Sequence, residues 1–223
     1  MRKIGAIFDW DGVVINSANL HEESWEILAK ELEFNLPHDH FVRGFGKKNE
    51  IIIGKILRWS EDQGEIIKWG SRKEEIYREL GIEKGIPLIP ETKTFIRNLH
   101  EQSIPMSIGT STERKNIDLA IQQNQLSGLF AGAICSEDVS KGKPDPEVFL
   151  KAADLIGIPP KYCIVFEDST HGIEAASQAE MISVGITTTK TERELLKSGA
   201  KLVVESLDEI NLSILKDLIK SSR

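Results

Sequence analysis

Four groups of polar residues stand where short apolar runs end. Asp9-Trp-Asp11-Gly12 follows the run at 3–8, and Thr110-Ser111-Thr112 follows 104–109. Lys141-Gly-Lys143-Pro144 comes after 132–135, and Glu167-Asp168-Ser-Thr follows 163–166. Brought to one place, these groups offer two carboxylate pairs, hydroxyls and an ammonium. That set suits phosphoryl transfer. Residues two apart on an extended chain point the same way, so Asp9 and Asp11 face one cavity while Trp10 points elsewhere. A carboxylate can attack phosphorus and form an acyl phosphate, which divides one hard step into two easier ones. An anion attacking an anion needs its charge offset. Mg²⁺ takes carboxylate and phosphate oxygens and would do this, with Asp9 and Asp168 as protein ligands. Lys143 supplies a second positive charge, and Thr110 with nearby backbone N–H groups can hydrogen-bond phosphoryl oxygens. Asp11 is left to protonate the leaving oxygen and then to deprotonate water.

Each group alone has a plainer reading. Asp-Gly is a common turn. Glu167-Asp168 could be the acidic start of a helix, and Thr110–112 could cap one. A calcium loop fails, because Gly12 as its sixth residue would make Ile7 the first ligand. No glycine stands where a Walker-type loop ending at Lys143 needs one. What favours catalysis is the placement at four strand ends, since open α/β sheets bind ligands outside the carboxyl ends of their strands.

The elements that must position these residues follow from the period of the apolar residues. Further short runs lie at 182–186 and 201–204, and segments of helical period lie at 91–102, 112–125, 146–156, 171–180 and 191–198. Strands alternating with helices predict an α/β fold, a doubly wound parallel sheet covered on both faces. The gap from residue 8 to 104 is too long for one crossover. It holds amphipathic stretches at about 19–34, 47–59 and 62–80, with Trp25, Ile27, Leu28 and Leu32 at helical spacing, and again Ile52, Ile56 and Trp59. The expectation is a core of 1–15 and 88–223 with a small helical cap, 16–87, inserted after the first strand. The cap leaves through Gly85-Ile-Pro87-Leu-Ile-Pro90, and connectors near 15–19 and 85–91 are expected to act as hinges. Trp25, Trp59 and Trp69 are read as cap core. His38 and His40 are read as a solvated loop rather than a metal site.

Composition narrows the partners. The 223 residues carry 28 Lys+Arg against 35 Asp+Glu, a formal charge of −7. This acidic balance argues against nucleic acid and anionic lipid, which need basic patches. No apolar run approaches the roughly 18 residues of a membrane span. Arg2 and Lys3 give a basic start, but Asp9 and Asp11 break any signal-peptide core, so a cytoplasmic location is expected. Cys135 and Cys163 sit in apolar stretches and are read as core rather than as a disulfide framework. The expected partner is a small phosphorylated metabolite, with no nucleic acid and no membrane, and the chain is expected to act as a monomer.

Together, Asp9-x-Asp11-Gly-Val-Val, Thr110 after a strand, Lys143-Pro-x-Pro-x-x-Phe and Glu167-Asp168-Ser-x-x-Gly-Ile-x-Ala-Ala resemble the four motifs of the haloacid dehalogenase (HAD) superfamily, in order and spacing. The resemblance implies a Rossmann-like HAD core and the helical-cap class, in the β-phosphoglucomutase-like and phosphoglycolate-phosphatase-like branch. It implies Asp9 as nucleophile, Asp11 as general acid/base, and Mg²⁺ held by Asp9, the Asp11 carbonyl and Asp168, with Glu167 nearby. Thr110, Ser111 and Lys143 are the expected phosphate-binding residues.

In the cap, Ser17-Ala-Asn-Leu-His21-x-x-x-Trp25 resembles the first cap segment of the mutase-like branch, although Ile15-Asn16-Ser-Ala-Asn19 replaces its more usual acidic pattern. Arg43-Gly-Phe-Gly-Lys47 falls where mutases carry a phosphate-binding arginine, and Lys47 there loses a bidentate phosphate fork. Arg72-Lys73-Glu-Glu-Ile-Tyr77 matches a helix that lends a lysine to the site. His21, Lys47 and Lys73 are therefore substrate-binding candidates. For Arg43, Lys47 and Lys73 the competing reading is a plain solvated charge. Leu57-Arg-Trp59-Ser60 and the 72–77 segment also resemble plant-type members that hydrolyse a phosphorylated ribitylaminouracil of riboflavin synthesis.

The expected function is a Mg²⁺-dependent phosphatase of a small phosphorylated metabolite such as a sugar or polyol phosphate. The alternatives are a β-phosphoglucomutase-type mutase and a ribitylaminouracil-phosphate phosphatase. A signalling receiver domain also uses an acidic pair, a Thr and a Lys-Pro. It needs its phosphoacceptor Asp on a strand between the acidic pair and the Thr, an interval filled here by helical segments. A degenerate binding module would lack a motif residue, and every motif position is filled.

Overall fold

The computed structural model describes residues 4–44 and 47–221. The basic start at Arg2 and Lys3, and Phe45-Gly46 at the centre of the 43–47 segment, lie outside the described residues. Six strands form one parallel sheet: β1 (Gly5–Phe8), β2 (Met106–Gly109), β3 (Ala133–Ile134), β4 (Cys163–Glu167), β5 (Ile182–Ile186) and β6 (Leu202–Val204). Their order is β3-β2-β1-β4-β5-β6. The chain winds outward from β1 to β3, then returns beside β1 and winds the other way. The order therefore reverses at β1, where such sheets open a crevice. Phe8 pairs with Ile108 of β2 on one side and with Phe166 of β4 on the other, so these three strands end nearly level. Every residue of β1, β2, β4 and β5 is buried, as a sheet covered on both faces requires.

The chain divides into two compact units, residues 1–16 with 87–223, and residues 17–86. Within the first, the Asn16 N–H donates to the Pro87 carbonyl at 2.8 Å, and Ile15 bridges Leu88. The inserted unit holds α1 (Ala18–Glu31), α2 (His40–Gly44), α3 (Asn49–Ile51) and α4 (Gln63–Lys84). Trp25 and Leu28 of α1 and Ile66, Ile76, Tyr77 and Leu80 of α4 are buried. The Asp62 carboxylate caps α4 by accepting the Glu65 N–H at 2.9 Å. Residues 47–59 are not one amphipathic helix. The single turn of α3 passes into a wider π-helical turn, Ile52–Leu57, which Arg58 ends in the left-handed conformation at φ 55°. Three β-branched residues and a glycine in a row, Ile51 to Gly54, are poor helix formers and tolerate the distortion. His40 corrects another expectation. It opens α2, is buried, and its Nδ1 bonds the Pro37 carbonyl at 2.8 Å, so it is no solvated loop residue; His38 is exposed in the turn before α2, as expected. Trp25 is buried as expected, whereas Trp59 and Trp69 are half-buried and flank Phe34 with ring centroids at 5.4 and 5.2 Å.

The first unit adds α5 (Thr92–Glu101), α6 (Arg114–Gln123), α7 (Glu147–Ile156), α8 (Thr170–Gln178), α9 (Glu192–Ser198) and α10 (Leu212–Ser221). The last is absent from the sequence expectation, although Leu215 and Ile219 recur at helical spacing and are buried. Under the strand ends, Phe8 stacks on Phe166 at 4.7 Å and Phe95 meets Phe166 edge-on at 5.3 Å. Cys135 and Cys163 are both free and buried. Among the described residues, no helix is long and apolar enough to cross a membrane.

Candidate active site

The carboxyl ends of β1, β2 and β4 carry the polar groups singled out above. Asp9 leaves β1 with its N–H bonded to the Phe166 carbonyl at 2.9 Å, which fixes it level with β4. The next residues form a tight loop in which the N–H groups of Val13, Val14 and Ile15 turn back to the Trp10 carbonyl. Thr110 is buried, and its N–H bonds the Ile134 carbonyl of β3 at 2.9 Å. Its hydroxyl oxygen accepts the Thr112 N–H at 3.1 Å. Ser111 lies half-buried in the same loop. The Lys143 ammonium donates to Asp9 Oδ1 and to Glu167 Oε1, each at 2.7 Å, and lies 4.7 Å from the centroid of the Phe149 ring. Asp9, Glu167 and Asp168 each place a carboxylate oxygen within 4.8 Å of the others.

Two glycines make this packing possible. Gly12 has φ 80°, and a Cβ there would overlap the Asp168 carboxylate. A Cβ at Gly172, in the first turn of α8, would overlap Glu167. Only a residue without a side chain lets both carboxylates come this close.

The electrostatics follow from three buried carboxylates around one ammonium. Burial pushes Asp9 up to about 7; Lys143 pulls the other way, and Glu167 and Asp11 add to the rise. Asp168 is also raised, first by burial and then by Glu167 and Asp9. Burial would lower Lys143, but the charges of Asp9 and Glu167 outweigh it and hold the ammonium protonated. The pocket has more negative charge than Lys143 offsets. A set of hard carboxylate oxygens in that condition fits a hard divalent cation.

Several contributors go beyond the residues picked from the sequence. The Thr112 hydroxyl donates to Asp11 Oδ2, and the N-cap of α6 is Glu113 rather than a residue of Thr110–Thr112. The Thr188 hydroxyl donates to the Gly12 carbonyl at 2.6 Å and lies 3.3 Å from Asp168 Oδ2, while the Thr189 hydroxyl donates to the Asp168 carbonyl at 2.7 Å. Both threonines lie two and three residues beyond the end of β5, so the strand-end rule extended one strand further finds them. The Glu167 Oε2 accepts the Ser169 N–H at 2.7 Å, which turns its other oxygen toward Lys143.

In the inserted unit, Lys73 is only 2% exposed, so the reading of it as a solvated charge is wrong. Its ammonium bonds Glu74 Oε1 at 2.9 Å and His21 Nδ1 at 2.6 Å, and lies 5.6 and 5.5 Å from the ring centroids of Trp25 and Tyr77. His21 stacks on Tyr77 at 4.2 Å. Asn49 Nδ2 donates to the same Glu74 oxygen at 2.8 Å. Burial alone would raise Glu74, but Lys73, His21 and Asn49 outweigh it and hold its carboxyl down at about 2. Lys47 is exposed in the loop before α3, and Arg43 is exposed and 3.5 Å from Asp39.

The profile of the haloacid dehalogenase-like hydrolases matches residues 6–186. The chain belongs to this family. It is 36% identical over 218 residues to a chloroplastic 5-amino-6-(5-phospho-D-ribitylamino)uracil phosphatase of Arabidopsis thaliana, a match covering 96% of this chain and 57% of that protein. The chain thus spans little more than half of that relative. It is 28% identical to the β-phosphoglucomutase of Bacillus subtilis, over 95% of this chain and 93% of that one. Among solved structures, a HAD hydrolase of family IA, variant 3, from Entamoeba histolytica superposes with a TM-score of 0.88 at 31% identity, covering 99% of this chain and all of that one.

Proposed function

We propose that this haloacid dehalogenase-like hydrolase is a Mg²⁺-dependent phosphatase that cleaves a small phosphorylated metabolite through an aspartyl phosphate on Asp9. The observation that carries the reading is the group of Asp9, Glu167 and Asp168 around the Lys143 ammonium at the reversal point of the sheet. Asp9, Asp168 and the Asp11 carbonyl would hold Mg²⁺, with Glu167 beside them. When bound, the cation offsets the negative charge of nucleophile and phosphoryl group.

The remaining steps belong to the chain's own residues. An Asp9 carboxylate oxygen attacks phosphorus as the ester P–O bond breaks. Asp11 gives its proton to the leaving oxygen. Water then attacks the phosphorus of the acyl phosphate and passes a proton to Asp11, and the bond between phosphorus and Asp9 breaks, freeing phosphate. Thr112 holds the Asp11 carboxylate in place for both transfers. The Thr110 hydroxyl, Ser111 and Lys143 stabilise the phosphoryl oxygens.

The inserted unit is proposed to select the substrate, with His21 and Lys73 as its named groups and Lys47 as a further candidate. A sugar or polyol phosphate fits a site that asks only for a phosphomonoester on a small carrier. Phosphorylated ribitylaminouracil is the first compound to test, because the Arabidopsis relative named for it is 36% identical. Phosphosugar mutase chemistry is the second reading, supported by the Bacillus subtilis relative.

A panel of phosphomonoesters including ribitylaminouracil phosphate and sugar 1-phosphates, scored by kcat/KM, tests the proposal. Hydrolysis should vanish in EDTA and return with Mg²⁺. Phosphorus NMR of a sugar 1-phosphate should show free phosphate; a 6-phosphate product would establish the mutase instead. Full turnover by the metal-stripped enzyme would refute the reading.

A further inference from the structure

Lys143 is placed to within hydrogen-bond tolerance between two carboxylates, yet no regular element carries it. β3 has only two residues, and from Cys135 to Pro146 the chain is irregular apart from the 3₁₀ turn Ser136–Asp138. Such a segment needs cross-links to hold a long side chain in one position, because a lysine gives up much rotamer freedom there. The cross-links converge on one residue in the first turn of α7. Glu147 Oε2 accepts the N–H groups of Ser140 and Lys141 at 2.9 and 3.1 Å and the Ser140 hydroxyl at 2.7 Å. Its other oxygen takes the Lys151 ammonium at 2.6 Å, and Lys151 also bonds the Asp138 carbonyl at 2.7 Å. The Glu147 N–H returns to Asp145 Oδ1 at 3.0 Å. Bonds from Lys151, the Ser140 hydroxyl and the Lys141 N–H hold the Glu147 carboxyl down at about 2. One turn of α7, from Glu147 to Lys151, therefore bonds Asp138, Ser140 and Lys141, the segment that leads into Gly142 and Lys143.

We infer that Glu147 is a positioning residue for Lys143. Its carboxylate gathers the 138–141 segment onto α7, and so fixes the direction from which the Lys143 side chain enters the pocket. It touches neither the phosphoryl group nor any of the three clustered carboxylates in the bonds described. The inference rests on the reading of Lys143 as the cation of the active site.

A double-mutant cycle on p-nitrophenyl phosphate hydrolysis in Mg²⁺ tests it. In folded Glu147→Ala, kcat should fall by about ten- to a hundredfold with KM little changed, the cost of misplacing a reacting group by about an ångström. Glu147→Gln keeps an acceptor for the two N–H groups and should recover most of the loss. In a Lys143→Ala background, assayed at high enzyme concentration, adding Glu147→Ala should cost little more, because the two act as one unit. Equal losses in both backgrounds would overturn the inference, since Glu147 would then act on something other than Lys143. So would wild-type kcat in folded Glu147→Ala. If that variant does not fold, by circular dichroism, Lys151→Met removes the opposite side of the cross-link and takes its place in the cycle. If Lys143→Ala leaves kcat unchanged, the active-site reading fails and this inference falls with it. A loss at Lys143 with none at Glu147 overturns this inference alone.

Discussion

Asp168 shows how much a single carboxylate depends on its neighbours. It is buried, flanked by two other acids, and held from outside by Thr189 on its carbonyl. Its carboxylate occupies space that a side chain at Gly12 would fill. If Asp168 is a ligand of Mg²⁺, Asp168→Ala removes one hard oxygen from the site. The affinity for Mg²⁺, measured by calorimetry on the protein without substrate, should fall by at least about tenfold. An unchanged affinity in a folded variant would count against the site. At this scale the sequence was informative where residue type is dictated by chemistry. Asp9, Lys143, Glu167 and Asp168 were all visible, because together they stand at the ends of successive apolar runs, although each alone has a plainer use. The bond of Thr112 to Asp11 and the role of Glu147 were not, since a hydroxyl or a glutamate has many uses, and only the folded chain shows which N–H or carboxylate it meets. Lys73 was visible as a residue, but its burial was not. Its burial depends on Trp25 and Tyr77 closing around it, and a helical period does not reveal that.

Among the elements, α4 carries the most unusual local energetics. Successive residues on it, Lys73 and Glu74, are both buried and paired. Removing Lys73 alone would leave Glu74 buried without its main partner, a loss of about 3–5 kcal/mol. Lys73→Ala should therefore lower the general stability of the fold rather than alter substrate preference alone. The pH dependence has a definite sign. The folded carboxyl of Glu74 titrates at about 2, below its ordinary 4.5, so the stability it contributes is complete above about pH 4.5. That contribution is lost as the pH falls from 4.5 toward 2. Thermal melts in this window should show a steeper fall of Tm for the wild type than for Glu74→Gln, which has no proton to take up there. Parallel curves for the two proteins would remove Glu74 from the account. Elements were legible where one period ran unbroken, as in α5, with Phe95, Ile96 and Leu99 buried. They were not legible at 47–59, where the apolar spacing is compatible with a helix but the β-branched run bends it into a π-helical turn. α10 was missed although its spacing was clear, because it lies beyond the last strand and carries no chemistry to draw attention.

At the scale of the whole molecule, the site is an outcome of topology. Lys143 and Asp9 are 134 positions apart and meet because α7, which follows Lys143, packs back across β3, β2 and β1 before the chain enters β4. The alternation of short apolar runs with helical segments was enough to predict that sheet, and the long interval without strands was enough to predict an insertion. Strand order was not readable from the runs themselves. What made the site legible was the rule that ligands gather at the carboxyl ends, applied to every strand. The formal charge of −7 also bears on the chemistry: nothing in the overall charge attracts a phosphate, so the attraction has to come from a few placed cations.

The central claim is that Asp9 attacks phosphorus. The direct measurement is to quench the enzyme in acid during turnover of p-nitrophenyl phosphate and map the phosphorylated peptide by mass spectrometry, with Asp9→Asn run in parallel. The account predicts a hydroxylamine-labile phosphate on Asp9 in the wild type. It also predicts turnover lowered by at least about a thousandfold in the variant. Phosphate on a different residue, or a folded Asp9→Asn that keeps more than about a tenth of the activity, would contradict it.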